Sequence, residues 1–350
     1  MGIKQNPRIK IHNRLIGEDY EPLIIAELGI NHNGSLKLAK KLVDAAYKAG
    51  AEIIKHQTHV VEDEMTEEAK KIIPEHTKKN IFEIIKNCSL SEKDEFNLMN
   101  YVKSKGMIFI STPFSKKAVD RLVKFKVPAF KIGSGECNNY PLIKYIAKFK
   151  KPVILSTGMN SLKTIRPSVK ILKSKKVPYA LLHCTNIYPT PSKLIRLNSI
   201  KVLRDEFPDA VVGLSDHSRT IFPCLGAISL GASIIEKHFT DKKSRKGPDI
   251  SASVDTKEFK ILKKGSKEIF YAKGYNKNPL KEEKSTIGFA FACVAATKNI
   301  NKGEKLSQKN IFPRRPGTGD YLAKDYEKLL GKIAKKNILE NTLIKKRDIK

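Results

Sequence analysis

Two histidines, His217 and His238, each follow a short β-branched apolar run that ends abruptly in polar residues: VVGLSDHS at 211–218 and ASIIEKHFT at 232–240. Between the runs Ile221, Leu225, Ile228 and Leu230 fall at roughly helical spacing, so the stretch reads as strand, short helix, strand. Adjacent parallel strands lie about 4.8 Å apart. Histidines leaving the same end of two such strands face one cavity and can share a divalent metal. A pair of capping or core-satisfied histidines is the commoner outcome for two histidines at random. The company of Ser215, Asp216, Glu236 and Lys237 at the same strand ends turns this pair toward a site.

The elements that must position these residues repeat along the chain. Short apolar runs recur as LIIAELG at 23–29, AEIIKHQ at 51–57, MIFIST at 107–112, AFKIGSG at 129–135, PVILST at 152–157 and YALLHCT at 179–185, followed by the two arms above. Amphipathic segments separate them; the first places Leu36, Ala39, Leu42, Val43 and Ala46 on one stripe. Strand and helix alternating about eight times predicts an α/β fold, a (β/α)₈ TIM barrel. An open doubly wound sheet is the rival, but it usually carries a Gly-rich phosphate turn after its first strand, and GINHNG at 29–34 matches that poorly.

Alternate residues of a strand point to opposite faces, which tests the barrel from within. Ile25 then shares a face with Glu27, Ile53 with Lys55 and Gln57, Ile110 with Thr112, Ala129 with Lys131, Cys184 with Asn186, and Glu236 with His238. Apolar residues thus give way to polar ones on the inner side at the carboxyl ends of the strands, where barrel enzymes hold their active sites. Lys55 and Lys131, with Thr112, Ser134, Ser215 and Asn186, form a set suited to phosphate and carboxylate oxygens. Two imidazoles beside them suit a divalent metal that polarises a carbonyl, while Glu27 and Glu236 can handle protons or developing charge. The set points to carbon–carbon bond formation between a phosphorylated anion and an aldehyde.

Composition narrows the classes. The 350 residues suffice for a barrel plus a small appendage, and no apolar run approaches the ~20 residues that span a bilayer. The opening MGIKQNPRIKIHN lacks an apolar segment behind its basic residues, so no secretory signal is expected. Five scattered cysteines without a CxxC pair fit a reduced cytoplasm. The net charge of +31 invites a nucleic-acid reading, yet lysines are spread over nearly every expected helix, as at 37–48, 116–126, 144–151 and 257–267. Nucleic-acid modules concentrate charge on one face and interleave aromatics, whereas Trp is absent here, so no nucleic-acid partner is expected. A lysine-rich surface is the plain reading of the charge, and steering of an anionic small substrate is a modest functional addition to it.

Seven stretches together carry a family resemblance: EIIKHQTHVVEDEMT at 52–66, MIFISTPFS at 107–115, KIGSGECNNYPLI at 131–143, ILSTGMN at 154–160, LLHCTNIYPTP at 181–191, GLSDHS at 213–218 and EKHFTD at 236–241. The chain closely resembles the N-acetylneuraminate (sialic acid) synthase family, nearest to bacterial enzymes that use N-acetylmannosamine. The resemblance implies a metal-dependent condensation of phosphoenolpyruvate with an acylated amino-sugar aldehyde. It further implies His217 and His238 as ligands of Mn²⁺, with Mg²⁺ or Co²⁺ as alternatives. Lys55, Thr112, Lys131, Ser134, Asn186 and Ser215 are similar to the phosphoenolpyruvate contacts. Gln57, Tyr188 and Asp249 resemble residues that hold the sugar, and Glu27 resembles the carboxylate closest to the chemistry. One departure stands at Pro74, Glu75, His76 and Thr77, where an Asn reaching the sugar is expected.

Beyond about residue 275 the pattern changes to a polar linker and then short strand-like runs. The expected organisation is a barrel domain over 1–275, a linker over 276–286 and a small domain over 287–350. FAFACVAATKNINKGEKLSQKNI at 289–311 resembles the antifreeze-like (SAF) module of the same synthases. In that family the module crosses a domain-swapped homodimer and lays an arginine over the partner's barrel mouth. In PRRPGTGD at 313–320 the resemblance selects Arg315, with Phe289 lining the same site. Two alternatives stay open: a sister synthase making legionaminic or pseudaminic acid from a 2,4-diacetamido-trideoxyhexose, and an inactive barrel that binds anions.

Overall fold

The protein is described by a computed structural model that covers residues 6–73, 79–274 and 276–350. It divides into two compact units, residues 1–274 and 275–350. The expected sugar-contact departure at Pro74, Glu75, His76 and Thr77 lies outside the described residues. No helix among the described residues is long and apolar enough to cross a membrane.

The first unit opens with an antiparallel hairpin, β1 (Arg8–Ile11) and β2 (Arg14–Gly17). Eight parallel strands follow among the described residues: β3 (Leu23–Gly29), β4 (Ile53–Thr58), β5 (Ile108–Pro113), β6 (Phe130–Ile132), β7 (Val153–Ser156), β8 (Tyr179–Cys184), β9 (Val211–Asp216) and β10 (Ile234–His238). They pair in chain order and β10 closes back on β3, giving the expected TIM barrel. The helices between them are α1 (Leu36–Lys48), α2 (Val61–Glu64), α3 (Ile81–Cys88), α4 (Glu92–Ser104), α5 (Lys116–Lys124), α6 (Tyr140–Ala147), α7 (Leu162–Ser174), α8 (Ser199–Glu206) and α9 (Phe222–Ser229), with α10 (Thr256–Ala272) after the last strand. β6 is shorter than the apolar run suggests, because Ser134–Glu136 turns into a 3₁₀ helix.

Period-two alternation produces two separate apolar layers. Leu23, Ile25, Ile53, Ile110, Ala129, Ile154, Ala180, Leu182, Val211 and Ile234 form the cluster inside the barrel. Their strand neighbours Ile24, Ala26, Leu28, Ile54, Phe109, Phe130, Val153, Val212 and Ile235 pack outward with the helices. α1 shows how the outer layer is completed: Ala39, Leu42, Val43 and Ala46 are buried while Lys37, Lys41 and Lys48 are exposed. Its start is fixed by Ser35, whose hydroxyl accepts from the Leu38 N–H at 3.3 Å.

The hairpin was not expected from the sequence. Ile9, Ile11 and Ile16 belong to the inner cluster together with the strand-start residues Leu23, Val211 and Ile234, so the hairpin plugs the amino-terminal end of the barrel. Chemistry is thereby confined to the other end.

In the second unit the stretch expected to be a linker carries a 3₁₀ turn at Lys281–Glu283 and α11 (Lys284–Ala290). β11 (Cys293–Ala296) and β12 (Ile311–Arg314) then pair antiparallel, and α12 (Tyr326–Leu329) follows. Its own small core contains Val294, Ile300, Leu306, Ile311, Leu329, Ile338 and Ile344.

Ile16→Ala should destabilise the barrel by about 2–5 kcal/mol, since Ile16 is fully buried and the plug cannot collapse into the space left. Urea unfolding followed by far-UV circular dichroism checks this. An unchanged midpoint would show that the hairpin contributes nothing to barrel stability.

Candidate active site at the carboxyl end of the barrel

Polar residues continue the inner face of each strand beyond the apolar layer and surround a cavity of about 130 Å³. Lys55, Gln57, Thr112, Lys131, Ser134, Asn186, Tyr188, Ser215, His217, Glu236 and His238 all line it. Glu27 lies beside it, bonded to two lining residues. Its Oε1 accepts from Gln57 Nε2 at 3.1 Å, and its Oε2 lies 2.9 Å from Lys55 Nζ. Oε2 is thus ion-paired but has no hydrogen bond among the described residues.

The cavity floor is a cluster of buried charges. Lys55 Nζ donates to Thr112 Oγ1 at 3.1 Å, and Lys131 Nζ donates to Ser156 Oγ at 2.7 Å and to the Ile132 carbonyl at 3.2 Å. Glu236 Oε1 accepts from Ser215 Oγ at 3.0 Å and stands 3.8 Å from Lys55 and 3.7 Å from Lys131. Glu236 Oε2 is buried with no hydrogen-bond partner among the described residues. Burial alone would raise the Glu236 carboxyl, but Lys131 and Lys55 outweigh it and hold the group well below the usual carboxylate range. Burial lowers Lys55 to about 8, against the opposing pull of Glu236.

One pleat nearer the mouth sit the imidazoles, their ring centroids 5.4 Å apart. His217 Nδ1 faces the Thr185 carbonyl at 2.8 Å and so carries the proton, leaving Nε2 to accept from Tyr188 Oη at 3.0 Å. His238 Nδ1 is buried without a hydrogen bond among the described residues, and Asp249 Oδ2 is 3.6 Å away. Burial lowers His217 to about 4 and His238 to about 3, so both rings are neutral near pH 7 and have lone pairs to give. Among the described residues no group of three or more His, Cys, Asp or Glu side chains is arranged to hold a metal ion. Two neutral nitrogen donors, one of them with an unpartnered buried nitrogen, fit a divalent metal whose other positions belong to water or substrate.

The backbone bends where the site needs room. Strand register shifts between Glu27 and Gly29, and Gly29 has φ of 50°. A Cβ there would lie 2.6 Å from Asp249 Oδ2 and 3.2 Å from His238 Nδ1.

Five lining residues were not expected as site residues: Phe114, Gly133, Gly135, Ser156 and Cys184. Ser156 follows Ile154 by two, so the same alternation that selects Lys131 also selects it. Cys184 is buried 3.3 Å from Asn186 Oδ1, and burial pushes its thiol up to about 11. The remaining expected residues belong to the second unit. Phe289 is 63% exposed on α11, and Arg315 is exposed just after β12. The Gly317 N–H donates to the Gly288 carbonyl at 2.8 Å, which brings their two segments together. Arg314 bonds Asn341 at 2.9 Å.

Gly29→Ala should fold with a loss of about 1–2 kcal/mol from its left-handed backbone and should displace the Asp249 carboxylate. A crystal structure of the variant checks this; a carboxylate still 3.6 Å from His238 would refute the steric argument.

The profile of the NeuB family matches residues 42–278, and that of the SAF domain matches residues 291–350. The N,N'-diacetyllegionaminic acid synthase of Campylobacter jejuni is 40% identical over 332 residues, which cover 92% of this chain and 98% of that protein. The pseudaminic acid synthase of the same species is 36% identical over 337 residues, covering 94% and 97%. Among solved structures, the N-acetylneuraminic acid (sialic acid) synthetase of Leptospira borgpetersenii superposes with a TM-score of 0.74 at 32% identity, covering 81% of this chain and 95% of that one. A closed eight-stranded barrel with basic, acidic and imidazole groups at one mouth, matched in this way over most of its length, belongs to the NeuB family of nonulosonate synthases, and its second unit is a SAF domain.

Proposed function

We propose that this enzyme condenses phosphoenolpyruvate with N-acetylmannosamine and water, giving N-acetylneuraminic acid and inorganic phosphate. The observation that carries this reading is the floor of the cavity, where Lys55 and Lys131 flank Glu236 one pleat below two neutral imidazoles. An ammonium has three donors, and neither lysine spends all of them on the protein. The spare donors suit the phosphate and carboxylate oxygens of phosphoenolpyruvate, with Thr112, Ser134, Asn186 and Ser215 fixing the remaining oxygens. Gln57, Tyr188 and Asp249 hold the open-chain sugar above. A divalent metal held by His217 and His238, Mn²⁺ with Mg²⁺ or Co²⁺ as alternatives, would polarise the aldehyde oxygen as a Lewis acid.

Attack by the enol carbon leaves positive charge on the carbon that bears the phosphate. Glu27, with an oxygen free of hydrogen bonds, stabilises that charge. Water adds at the same carbon, and Glu27 or Glu236 accepts its proton. The resulting hemiketal phosphate collapses by C–O cleavage while the lysines keep the departing phosphate. The second unit completes the site in a domain-swapped homodimer: Arg315 and Phe289 meet the N-acyl group at the partner's barrel mouth. Five buried cysteines, all free, agree with a cytoplasmic setting.

A second reading, a sister synthase making legionaminic or pseudaminic acid, is supported by the 40% identity to the Campylobacter legionaminic acid synthase. Phosphate release with phosphoenolpyruvate and Mn²⁺ should be faster with N-acetylmannosamine than with the 2,4-diacetamido-trideoxyhexose and should stop on adding EDTA. The reverse order of sugars favours the sister synthase, and no release with either refutes the condensation. Mixing Arg315→Ala with Lys131→Met subunits should restore activity that neither homodimer has; inactivity in demonstrated heterodimers would refute the shared site.

A further inference from the structure

We infer that His59, braced by Glu64, is a positioning residue that fixes which way round the Gln57 carboxamide faces the sugar. The inference rests on the reading of Gln57 as a sugar contact. Gln57 Nε2 donates to Glu27 Oε1 at 3.1 Å, and the reversed amide would set its carbonyl against a carboxylate oxygen. With that direction fixed, Gln57 Oε1 accepts from His59 Nε2 at 3.2 Å. His59 Nδ1 in turn stands 2.8 Å from Glu64 Oε2. Both ring nitrogens thus stand against side-chain oxygens, which fixes the rotation of the ring about its stem. Phe114, a cavity-lining residue, stacks on His59 with centroids 4.5 Å apart and planes 9° apart, which locks the ring plane.

The chain Glu64, His59, Gln57, Glu27, Lys55 therefore runs from α2 to the cavity floor as one connected network. Its consequence for recognition is specific. One N–H of Gln57 is spent on Glu27 and its carbonyl is held by His59, so the amide presents its remaining N–H to the substrate. The group that seats there is an oxygen acceptor, a hydroxyl or carbonyl oxygen of the sugar. Without His59 the carboxamide is free to turn away from that partner.

The test measures KM for phosphoenolpyruvate and for the turned-over sugar separately in Gln57→Ala, His59→Phe, His59→Gln and Glu64→Gln. His59→Phe keeps the stack on Phe114 and loses both hydrogen bonds; it should raise the sugar KM about ten-fold and leave the phosphoenolpyruvate KM and the melting temperature near those of the parent. His59→Gln keeps a donor and should recover most of the loss, while Glu64→Gln should give a smaller rise in sugar KM and serves if His59→Phe does not fold. Equal changes in both KM values, no change in either, or no recovery with His59→Gln would overturn the positioning role. If Gln57→Ala raises the sugar KM and His59→Phe does not, only this inference fails. If Gln57→Ala leaves the sugar KM unchanged, the sugar-contact reading fails and the inference falls with it.

Discussion

Four buried charges, Glu27, Lys55, Lys131 and Glu236, constrain everything else at the mouth of this barrel. Each is at most 5% exposed, and an unpaired ion in such a place costs several kcal/mol. They are tolerable because strand register sets Glu27 across from Lys55 and sets the hydroxyl of Ser215 across from Glu236, which also stands between the two lysines. Two positive and two negative groups balance, so the floor is neutral as a whole while every member still feels a strong local field. The contacts of Glu236 with the lysines, 3.7 and 3.8 Å, are longer than charge-assisted hydrogen bonds. A ligand oxygen arriving between the two ammonium groups therefore competes with Glu236 as a loose partner, while Glu27 at 2.9 Å from Lys55 and Ser156 at 2.7 Å from Lys131 keep the lysines in place. Burial keeps the field strong and the loose pairing keeps it available.

The closed barrel explains how much of this could be read from the chain. Period-two alternation converts a strand sequence directly into inward and outward faces, so Ile25 announces Glu27 and Ala129 announces Lys131 without any knowledge of their partners. The same rule reaches Ser156 through Ile154. It fails where the backbone stops being periodic. The β1–β2 hairpin pairs residues through a turn at His12, whose φ is 55°, and its role depends on a cavity that only the closed barrel creates. The helix at Lys284–Ala290 is polar and short, with Gly288 inside it, so neither apolar periodicity nor helix propensity marks it. His59 and Glu64 are five residues apart, and their meeting depends on how α2 leaves β4.

Recognition of the family from several stretches and the physical reading of the strands arrive at the same residues for different reasons. Motif resemblance assigns roles, whereas alternation predicts only that polar groups share a cavity. Geometry adds what neither supplies: the proton on His217 Nδ1, the orphaned nitrogen of His238 with Asp249 beside it, and the register shift between Glu27 and Gly29. These details are set by loop carbonyls and backbone torsions, which leave little trace in the order of side chains.

The two imidazoles share their strands with a buried ion pair on the opposite face. Lys237 and Asp216 are cross-strand partners, fully buried outside the barrel wall and joined at 2.6 Å. Asp216 also accepts from the Ser218 hydroxyl at 2.7 Å and its N–H at 3.2 Å, and Lys237 bonds the Ser218 carbonyl. Each member of this pair adjoins one histidine in the chain. A slip of one residue between β9 and β10 would turn the imidazole of the slipped strand out of the cavity and leave both charges unpaired. A buried ion pair adds little net stability compared with well-packed apolar residues. Apolar side chains, however, would tolerate neighbouring registers that the pair excludes. The register in which Lys237 and Asp216 pair is the one that puts the two nitrogen donors together on the other side of the sheet.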